Sequence, residues 1–244
     1  MKIREIYADI RCLPPVIVRI DGRNFKKALS QFGFKKPYDK RFSQAMANSA
    51  ELFFKHSGLN PLFAYTFSDE VSFLFTELEF DGRIEKLDSI IPSYISSALA
   101  IELDLERPVA FDSRIIPLNQ HNIQEYLIWR QSEAWRNFVS SYGYYTLLEE
   151  GMSPDEASSF LKGKKSSDIH ELMFERGTNL AKLPLWQRRG IVLHKERYTI
   201  EGFNPKLNKK TLTTRSRVVQ NWDIPEFNSD QGTDFVQKYI GPSL

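Results

Sequence analysis

Apolar residues, spaced in two different ways, predict an alternation of strands and helices along the first half of the chain. Runs rich in Val, Ile and Phe predict buried strands at 15–20, 62–67, 71–76 and 108–118. Apolar residues at three- and four-residue steps predict helices at 40–57 and 84–103, with Pro92 expected to kink or start the second. This order of elements predicts an α+β fold in which helices cover one sheet.

The second half of the chain continues with helices before it returns to strands. The longest helical pattern covers 122–149, and Ser153 with Glu156 matches a capping box at the start of a short helix. The segment 166–168 predicts the start of another helix that ends near Gly177. From about residue 186, two strand patterns flank a turn-rich stretch, which predicts a long basic β-hairpin at the C-terminus.

The composition is typical of a globular protein with one or two domains. The chain has 244 residues, of which 41% are hydrophobic, so it can bury a sizeable core. Its single cysteine, Cys12, excludes an intrachain disulfide and a cysteine-rich zinc site and favours a reducing compartment. The sequence contains no stretch typical of a membrane span or a signal peptide, so we expect a cytoplasmic protein with no membrane partner.

Basic residues are concentrated near the C-terminus. The whole chain carries 33 Lys or Arg and 31 Asp or Glu, whereas residues 188–217 hold nine basic and two acidic residues. Such a local excess is typical of a surface that faces a polyanion. A solvated basic surface without a ligand is the alternative.

Acidic residues follow the ends of predicted strands. Asp21 ends the first strand, and Asp69 and Glu70 lie in the turn between the next two. If these strands are neighbours, the carboxylates converge at one sheet edge and suit Mg²⁺, which prefers hard oxygen ligands and phosphates. Phosphate oxygens are expected to bind the backbone amides of Gly22, Arg23, Asn24 and Phe25. Ordinary solvated turns at both positions remain the alternative.

Five sequence blocks, in order along the chain, resemble one enzyme family. They are RIDGRNF (19–25), KKPYDKR (35–41), FSDEVSFLF (67–75), FDSRIIP (111–117) and YLIWRQSEAWRN (126–137). Together they resemble the tRNA(His) guanylyltransferase-like proteins, which are 3′-to-5′ nucleotide polymerases. The resemblance implies an antiparallel sheet similar to the polymerase palm, with covering helices. It also implies nucleotide addition to tRNA 5′ ends with two Mg²⁺ ions, GTP and ATP as substrates, and a homo-oligomer.

The resemblance also assigns site residues. The implied metal ligands are Asp21, the carbonyl group of Gly22, and Asp69, with Glu70 as a neighbouring catalytic acid. The implied nucleotide contacts are Gly22, Arg23, Asn24, Phe25, Lys26, Lys36 and Ser68. Lys26 replaces the family's His at the end of this loop, Tyr38 replaces an Asn, and Ser113 replaces a Gly.

The segment 135–141 departs from the HINNLYN motif of the family's eukaryotic members, because only Asn137 matches it. The sequence is therefore more similar to the archaeal and bacterial branch, which fills 5′ ends by base pairing with the opposite strand. The implied division is a palm-like catalytic domain over 1–135 and a helical and basic tRNA-binding region over 136–244, or one compact domain. The predicted tRNA contacts are Arg136, Asn179, Arg188, Arg189, Lys206, Lys209, Lys210, Arg215 and Arg217. A surface salt bridge is the alternative for Arg136, and a role in a turn is the alternative for Asn179.

We therefore expect a template-dependent nucleotidyltransferase that repairs tRNA 5′ ends, adds the extra 5′ guanosine of tRNA(His), or does both. A palm-type nucleotide cyclase is one alternative, in which the basic hairpin has no part in the reaction. A non-catalytic tRNA-binding protein is the other.

Overall fold

Strands from both halves of the chain pair into one antiparallel sheet. A computed structural model describes residues 1, 4–28, 32–204 and 209–240. In this part of the chain the strands are β1 (Val16–Gly22), β2 (Phe63–Phe67), β3 (Glu70–Phe75), β4 (Phe111–Pro117), β5 (Ile191–Asn204) and β6 (Lys209–Asn221). They lie in the order β4-β1-β3-β2-β5-β6. The predicted α+β fold, with a C-terminal hairpin, is confirmed.

Helices pack on both faces of this sheet. They are α1 (Phe25–Ala28), α2 (Lys40–His56), α3 (Ile84–Glu102), α4 (Gln120–Glu149), α5 (Pro154–Leu161), α6 (Ser166–Glu175), α7 (Leu185–Arg189) and α8 (Asp230–Ile240). Val16, Val18 and Ile20 of β1 share a core with α2 and α3. Ile17 faces the other way and shares a core with α4 and α8. Because β2 and β3 are buried along their whole length, they appear in the sequence as nearly continuous apolar runs rather than as alternating patterns.

The helices begin and end close to the predicted residues, with four differences. The four-residue helix α1 lies in a stretch that was predicted as part of a phosphate-binding loop. Pro92 lies inside α3 and does not start it. The short helix α7 occupies part of the stretch that was predicted as strand. α8 was not predicted, because its apolar residues, such as Val236 and Tyr239, span only about three turns. The helix is stabilised by the packing of these residues against the sheet and α4, which the local pattern does not indicate.

α4 connects the sheet to a smaller helical cluster. Its first half packs against the sheet, whereas Phe138 and Val139 in its second half share a separate core with Ile169 and Met173 of α6. A division of the chain at residue 135 falls inside this helix, and that division stays a prediction. Neither α4 nor any other described helix is long and apolar enough to cross a membrane.

The β5–β6 hairpin runs away from the sheet edge at which β1 and β2 end. β5 pairs with β2 only between Ile191 and His194. Residues 195–204 then pair with β6 alone and continue past the start of β2. At about 3.3 Å per residue, this arm extends on the order of 30 Å. Lys206, one of the predicted tRNA contacts, lies outside the described residues.

Candidate active site

The three predicted acidic residues meet at one end of the sheet. Asp21 is paired with Glu70 of β3 on one side and with Asp112 of β4 on the other. The amide of Gly22 donates a hydrogen bond to the carbonyl oxygen of Asp69 at 3.1 Å. The end of β1 is therefore joined directly to the β2–β3 turn, and the carboxylates of two separate motifs come together.

Gly22 allows the Asp69 carboxylate to lie against the backbone. A Cβ atom at position 22 would lie 2.7 Å from the Oδ2 oxygen of Asp69 and would also overlap the ring of Phe25. Both separations are shorter than a real Cβ contact, so a larger residue displaces one of these groups. The close contact explains why a glycine occupies this position beside Asp69, and the metal contact of its carbonyl group stays a prediction.

Burial raises the pKa of both aspartates. For Asp21, the adjacent Asp112 carboxylate raises the pKa further, and three neighbouring arginines partly oppose the shift. For Asp69, a hydrogen bond from Ser68 opposes the effect of burial, and the charge of Asp21 adds to it. Two half-desolvated carboxylates that repel each other are typical of a functional site, because a bound cation relieves the repulsion.

Glu70 differs from the two aspartates because an arginine of α4 neutralises it. Arg130 donates one hydrogen bond from Nε at 2.9 Å and one from Nη2 at 2.5 Å to the two carboxylate oxygens. Both side chains are buried. Burial raises the pKa of Glu70, and the Arg130 contacts oppose this. The pair fixes α4 over the carboxylates, and a direct catalytic role of Glu70 stays a prediction.

A cavity of about 550 Å³ opens on one side of Asp69 and is named the aromatic cavity. Its lining includes Phe25, Phe34, Lys36, Phe42, Ser68, Asp69, Asn137, Tyr144 and Tyr145. The ammonium group of Lys36 lies 5.8 Å from the centre of the Tyr145 ring. Predicted nucleotide contacts Phe25, Lys36 and Ser68 thus line one cavity, which combines ring surfaces with a positive charge.

A second cavity, of about 380 Å³, shares Ser68, Asp69 and Asn137 with the first and is named the arginine cavity. Its lining includes Arg19, Asp21, Ser68, Asp69, Glu70, Arg114, Arg130 and Asn137. The Nε and Nη1 atoms of Arg19 are buried without a hydrogen-bond partner among the described residues. Sequence reasoning missed these three arginines as site residues. Arg19 could have been found, because it lies two residues before Asp21 and therefore on the same face of β1.

The loop after β1 offers fewer free amides than its sequence suggested. The amide of Gly22 is bonded to Asp69, and the amide of Arg23 donates to the carbonyl oxygen of Ala110 at 2.8 Å. The amides of Gly22 and Arg23 are therefore not free to bind phosphate, and of the four predicted amides those of Asn24 and Phe25 remain. Asn24 has a positive φ of 57°, which turns the chain sharply into α1. The side chain of Lys26 lies outside the described part of the structure.

The oxygen atoms at this sheet edge fit Mg²⁺. The described residues contain no cluster of three or more His, Cys, Asp or Glu side chains suited to a metal. The donors present are the carboxylates of Asp21 and Asp69, which both line the arginine cavity, and the Gly22 carbonyl stays a predicted ligand. Such an incomplete set of hard oxygen donors suits an ion that keeps water and shares phosphate ligands.

Several predicted tRNA contacts already have partners within the protein. Arg136 forms an ion pair with Glu133 on the same helix. The side-chain oxygen of Asn179 accepts a hydrogen bond from the amide of Ala181 at 3.0 Å and caps a short turn. Two further arginines bond to neighbouring segments. Arg188 donates a hydrogen bond to the carbonyl oxygen of Leu183, and Arg189 donates to the carbonyl oxygen of Ile224 and to the carboxylate of Glu226. Their tRNA contacts stay predictions.

The basic residues of the hairpin lie on the arm, away from the carboxylates. Arg217 bonds to Glu196 at 2.7 Å and Lys210 to Glu201 at 3.1 Å. Arg215 is exposed and is paired across the hairpin with Tyr198, while Lys209 lies at the start of β6. The structure thus groups these residues with one another but not with Asp21.

Family models match almost the whole chain. A model described as tRNAHis guanylyltransferase matches residues 1–119, and one described as Thg1 C terminal domain matches residues 121–228. The two models meet at the start of α4, immediately after β4.

Relatives and solved structures are similar over most of their length. A probable tRNA(His) guanylyltransferase from Dictyostelium discoideum is 32% identical, over 86% of this chain and 85% of the relative. The tRNA(His) guanylyltransferase of Debaryomyces hansenii is 34% identical, over 88% and 86%. A bacterial tRNA(His) guanylyltransferase-like protein in complex with ATP has a TM-score of 0.75 at 25% identity, over 98% and 96%. These sequence relatives are eukaryotic, so the predicted placement in an archaeal or bacterial branch is not borne out.

Proposed function

Because the chain belongs to the tRNA(His) guanylyltransferase family, we propose that it adds nucleotides to the 5′ end of tRNA in a template-dependent, 3′-to-5′ reaction. One observation carries the proposal. Asp69 lines both the aromatic cavity and the arginine cavity, and Asp21 lines the second, so two substrates of different chemistry can meet at this pair of carboxylates.

The aromatic cavity suits the nucleoside triphosphate. Its rings offer stacking surface for a base, and Lys36 offers a positive charge for phosphate. Structures of bacterial relatives in complex with GTP and with ATP support nucleotides as substrates. The nucleotide 3′-hydroxyl then points toward Asp69, which lines this cavity.

The arginine cavity suits the 5′ phosphate of the RNA. Arg19, Arg114 and Arg130 supply positive charge, and two donor atoms of Arg19 have no hydrogen-bond partner in the described part of the chain. Guanidinium groups recognise phosphate oxygens through paired hydrogen bonds. ATP first transfers its adenylyl group to the 5′ phosphate of the RNA, and pyrophosphate leaves. The 3′-oxygen of the incoming nucleotide then forms a bond to the 5′ phosphorus, the bond between that phosphorus and the adenylyl phosphate breaks, AMP leaves, and the hydroxyl proton passes to solvent.

Asp21, Asp69 and the Gly22 carbonyl would hold Mg²⁺, which when bound lowers the pKa of an attacking hydroxyl and neutralises charge on the leaving group. The remaining work falls to the protein. Arg130 positions Glu70 and α4 over the cavities. The Asn24 and Phe25 amides and Lys36 orient phosphate groups, as proposed from the sequence.

Template dependence is supported by the segment that departs from the family's HINNLYN motif. Trp135 occupies the position of the motif's His, and it stacks on Phe138 with ring centres 5.4 Å apart. Trp135 therefore belongs to the packed core under α6 rather than to a hydrogen-bonding surface. We propose that base pairing, rather than anticodon recognition, selects the added nucleotide.

The position of the basic arm supports a homo-oligomer. The arm leaves the sheet at the end opposite to the carboxylates. An acceptor end bound at Asp21 and a tRNA backbone bound by the arm are therefore more easily contacted by two subunits than by one. We propose that the arm binds tRNA phosphates in this way.

Single-nucleotide addition tests the proposed function. The assay uses Mg²⁺, ATP, labelled GTP and a tRNA that lacks its first 5′ nucleotide, with each of the four bases placed opposite the gap. We expect labelled RNA only when the opposing base is C. Labelling regardless of that base would contradict template dependence, and tRNA binding without labelling would favour a non-catalytic binding protein.

A further inference from the structure

One large aromatic side chain beside the arginine cavity is exposed. Trp129 of α4 has 48% of its surface accessible, although indole rings are usually buried. It lies one residue before Arg130 and one helical turn before Glu133, both of which line the arginine cavity. Trp129 does not itself line this cavity, but two of the arginines that do line it contact its ring, so the ring lies beside the cavity and not in a core.

Two arginines of the cavity hold this ring in place. The guanidinium carbon of Arg130 lies 4.5 Å from the Trp129 ring centre, and that of Arg19 lies 5.3 Å away. Tyr126, one turn earlier, packs edge-on against it with ring centres 5.7 Å apart. The ring is thus fixed by cation–π and aromatic contacts, while 48% of the surface of the Trp129 residue stays accessible to a ligand.

We propose that Trp129 is a stacking platform for the base of the terminal nucleotide at the RNA 5′ end. This inference rests on the proposed function, in which the arginine cavity holds the 5′ phosphate of that nucleotide. The base attached to a phosphate in the cavity lies within one nucleotide's reach of the rim. Unpaired or terminal bases stack on exposed aromatic rings in a sequence-tolerant way, which suits an enzyme that extends different 5′ ends.

Stacking also gives the reaction something that the arginines do not supply. Arginine contacts to phosphate fix the position of the 5′ phosphorus but leave the nucleotide free to rotate about its backbone. A base held flat against Trp129 fixes that rotation and aligns the phosphorus with the attacking oxygen from the aromatic cavity.

A double-mutant cycle between protein and RNA tests the inference. Dissociation constants are measured for the full-length protein and its Trp129→Ala variant, each with an acceptor-stem RNA whose terminal 5′ nucleotide carries a base or is abasic. We expect Trp129→Ala to weaken binding of the intact RNA about 10-fold or more. The wild-type protein should bind the abasic RNA about as weakly as Trp129→Ala binds the intact RNA. Trp129→Ala should bind the abasic RNA no more weakly than the wild type does.

Additive effects would overturn the inference, since independent losses mean that the ring and the base do not touch. Trp129→Phe should restore most of the affinity, because it keeps a stacking face. The matched control is Phe174→Ala on α6, an aromatic residue that is 56% exposed and lines neither cavity; it should leave binding unchanged. This binding cycle does not require catalysis, so its failure is distinct from a failure of nucleotide addition.

Discussion

The two carboxylate oxygens of Glu70 accept hydrogen bonds from Nε and Nη2 of Arg130, at 2.9 and 2.5 Å. This buried pair joins β3 to α4, and α4 supplies side chains to both cavities. The sheet edge that carries Asp21 and Asp69 and the helix above it are therefore one unit.

Loss of one partner of this pair should be costly. Arg130→Met leaves the Glu70 carboxylate buried without its hydrogen-bonded partner, and we expect the free energy of unfolding to fall by about 3–5 kcal/mol. Urea unfolding measures it. Arg114→Met is the control, because Arg114 pairs with Asp112 in a half-exposed site and should cost less than about 1 kcal/mol. If the free energy of unfolding falls by the same small amount in both variants, the buried pair does not fix α4.

Gly22→Ala should inactivate the enzyme without unfolding it. The added methyl group displaces either the Asp69 carboxylate or the ring of Phe25. We expect kcat/KM for nucleotide addition to fall by about 100-fold, because a misplaced reacting group costs about that much. Gly202→Ala in the hairpin, whose added carbon meets nothing closer than 3.9 Å, should retain full activity. Normal activity of Gly22→Ala would contradict the claim that nucleotide addition requires the Asp69 carboxylate to lie close to the backbone of residue 22.

Asp39 should stabilise the protein in a pH-dependent way. Its side chain caps α2 through the amide of Arg41, and hydrogen bonds from Arg41 hold the pKa of this carboxyl well below its usual range. A carboxyl group whose pKa is lower in the folded state stabilises that state. This contribution is fully present above the pKa of the unfolded state, near 3.9, and is lost as the pH falls toward the pKa of the folded state.

The comparison with Asp39→Asn isolates this charge, since asparagine keeps a capping oxygen. We expect the variant to be less stable than wild type by about 1 kcal/mol near pH 7, and the difference to shrink as the pH falls below about 4. Urea unfolding over a pH series measures it. A difference that stays constant down to pH 2 would mean that the ionised carboxylate contributes nothing beyond the cap.

The basic arm should contribute to tRNA binding through charge alone. Arg215 is exposed and is paired across the hairpin with Tyr198. Arg215→Glu should raise the KM for tRNA but not for GTP, and should reduce the slope of log affinity against log salt by about 1. Lys86→Glu, an exposed charge change on α3, is the control. If Arg215→Glu leaves the slope of log affinity against log salt unchanged, the proposed contact between the arm and tRNA phosphates is wrong.

The sequence predicts the carboxylates better than it predicts their surroundings. Asp21 and Asp69 each follow a strand whose apolar run is unmistakable, so their meeting depends only on strand pairing. Arg130 lies on a helix far along the chain, and its contact with Glu70 depends on how α4 crosses the sheet. Its place in the site depends on tertiary packing, which no local pattern records.

Other features are hidden for related reasons. The amides of Gly22 and Arg23 looked free in the sequence, but they bond to Asp69 and Ala110, residues that only the fold brings near. α8 has too few turns to stand out, although Tyr239 stacks on His194 with ring centres 3.8 Å apart. The direction of the basic arm follows from the short pairing between β2 and β5, which composition does not encode.

Nucleotide addition by Asp21→Asn and Asp69→Asn tests the central claim most directly, namely that these two carboxylates form the reaction centre between the two cavities. Each variant removes one of two repelling charges and should fold at least as well as wild type. We predict that each lowers templated addition of labelled GTP by at least about 100-fold while tRNA affinity is not reduced. Normal addition by either variant would contradict the account.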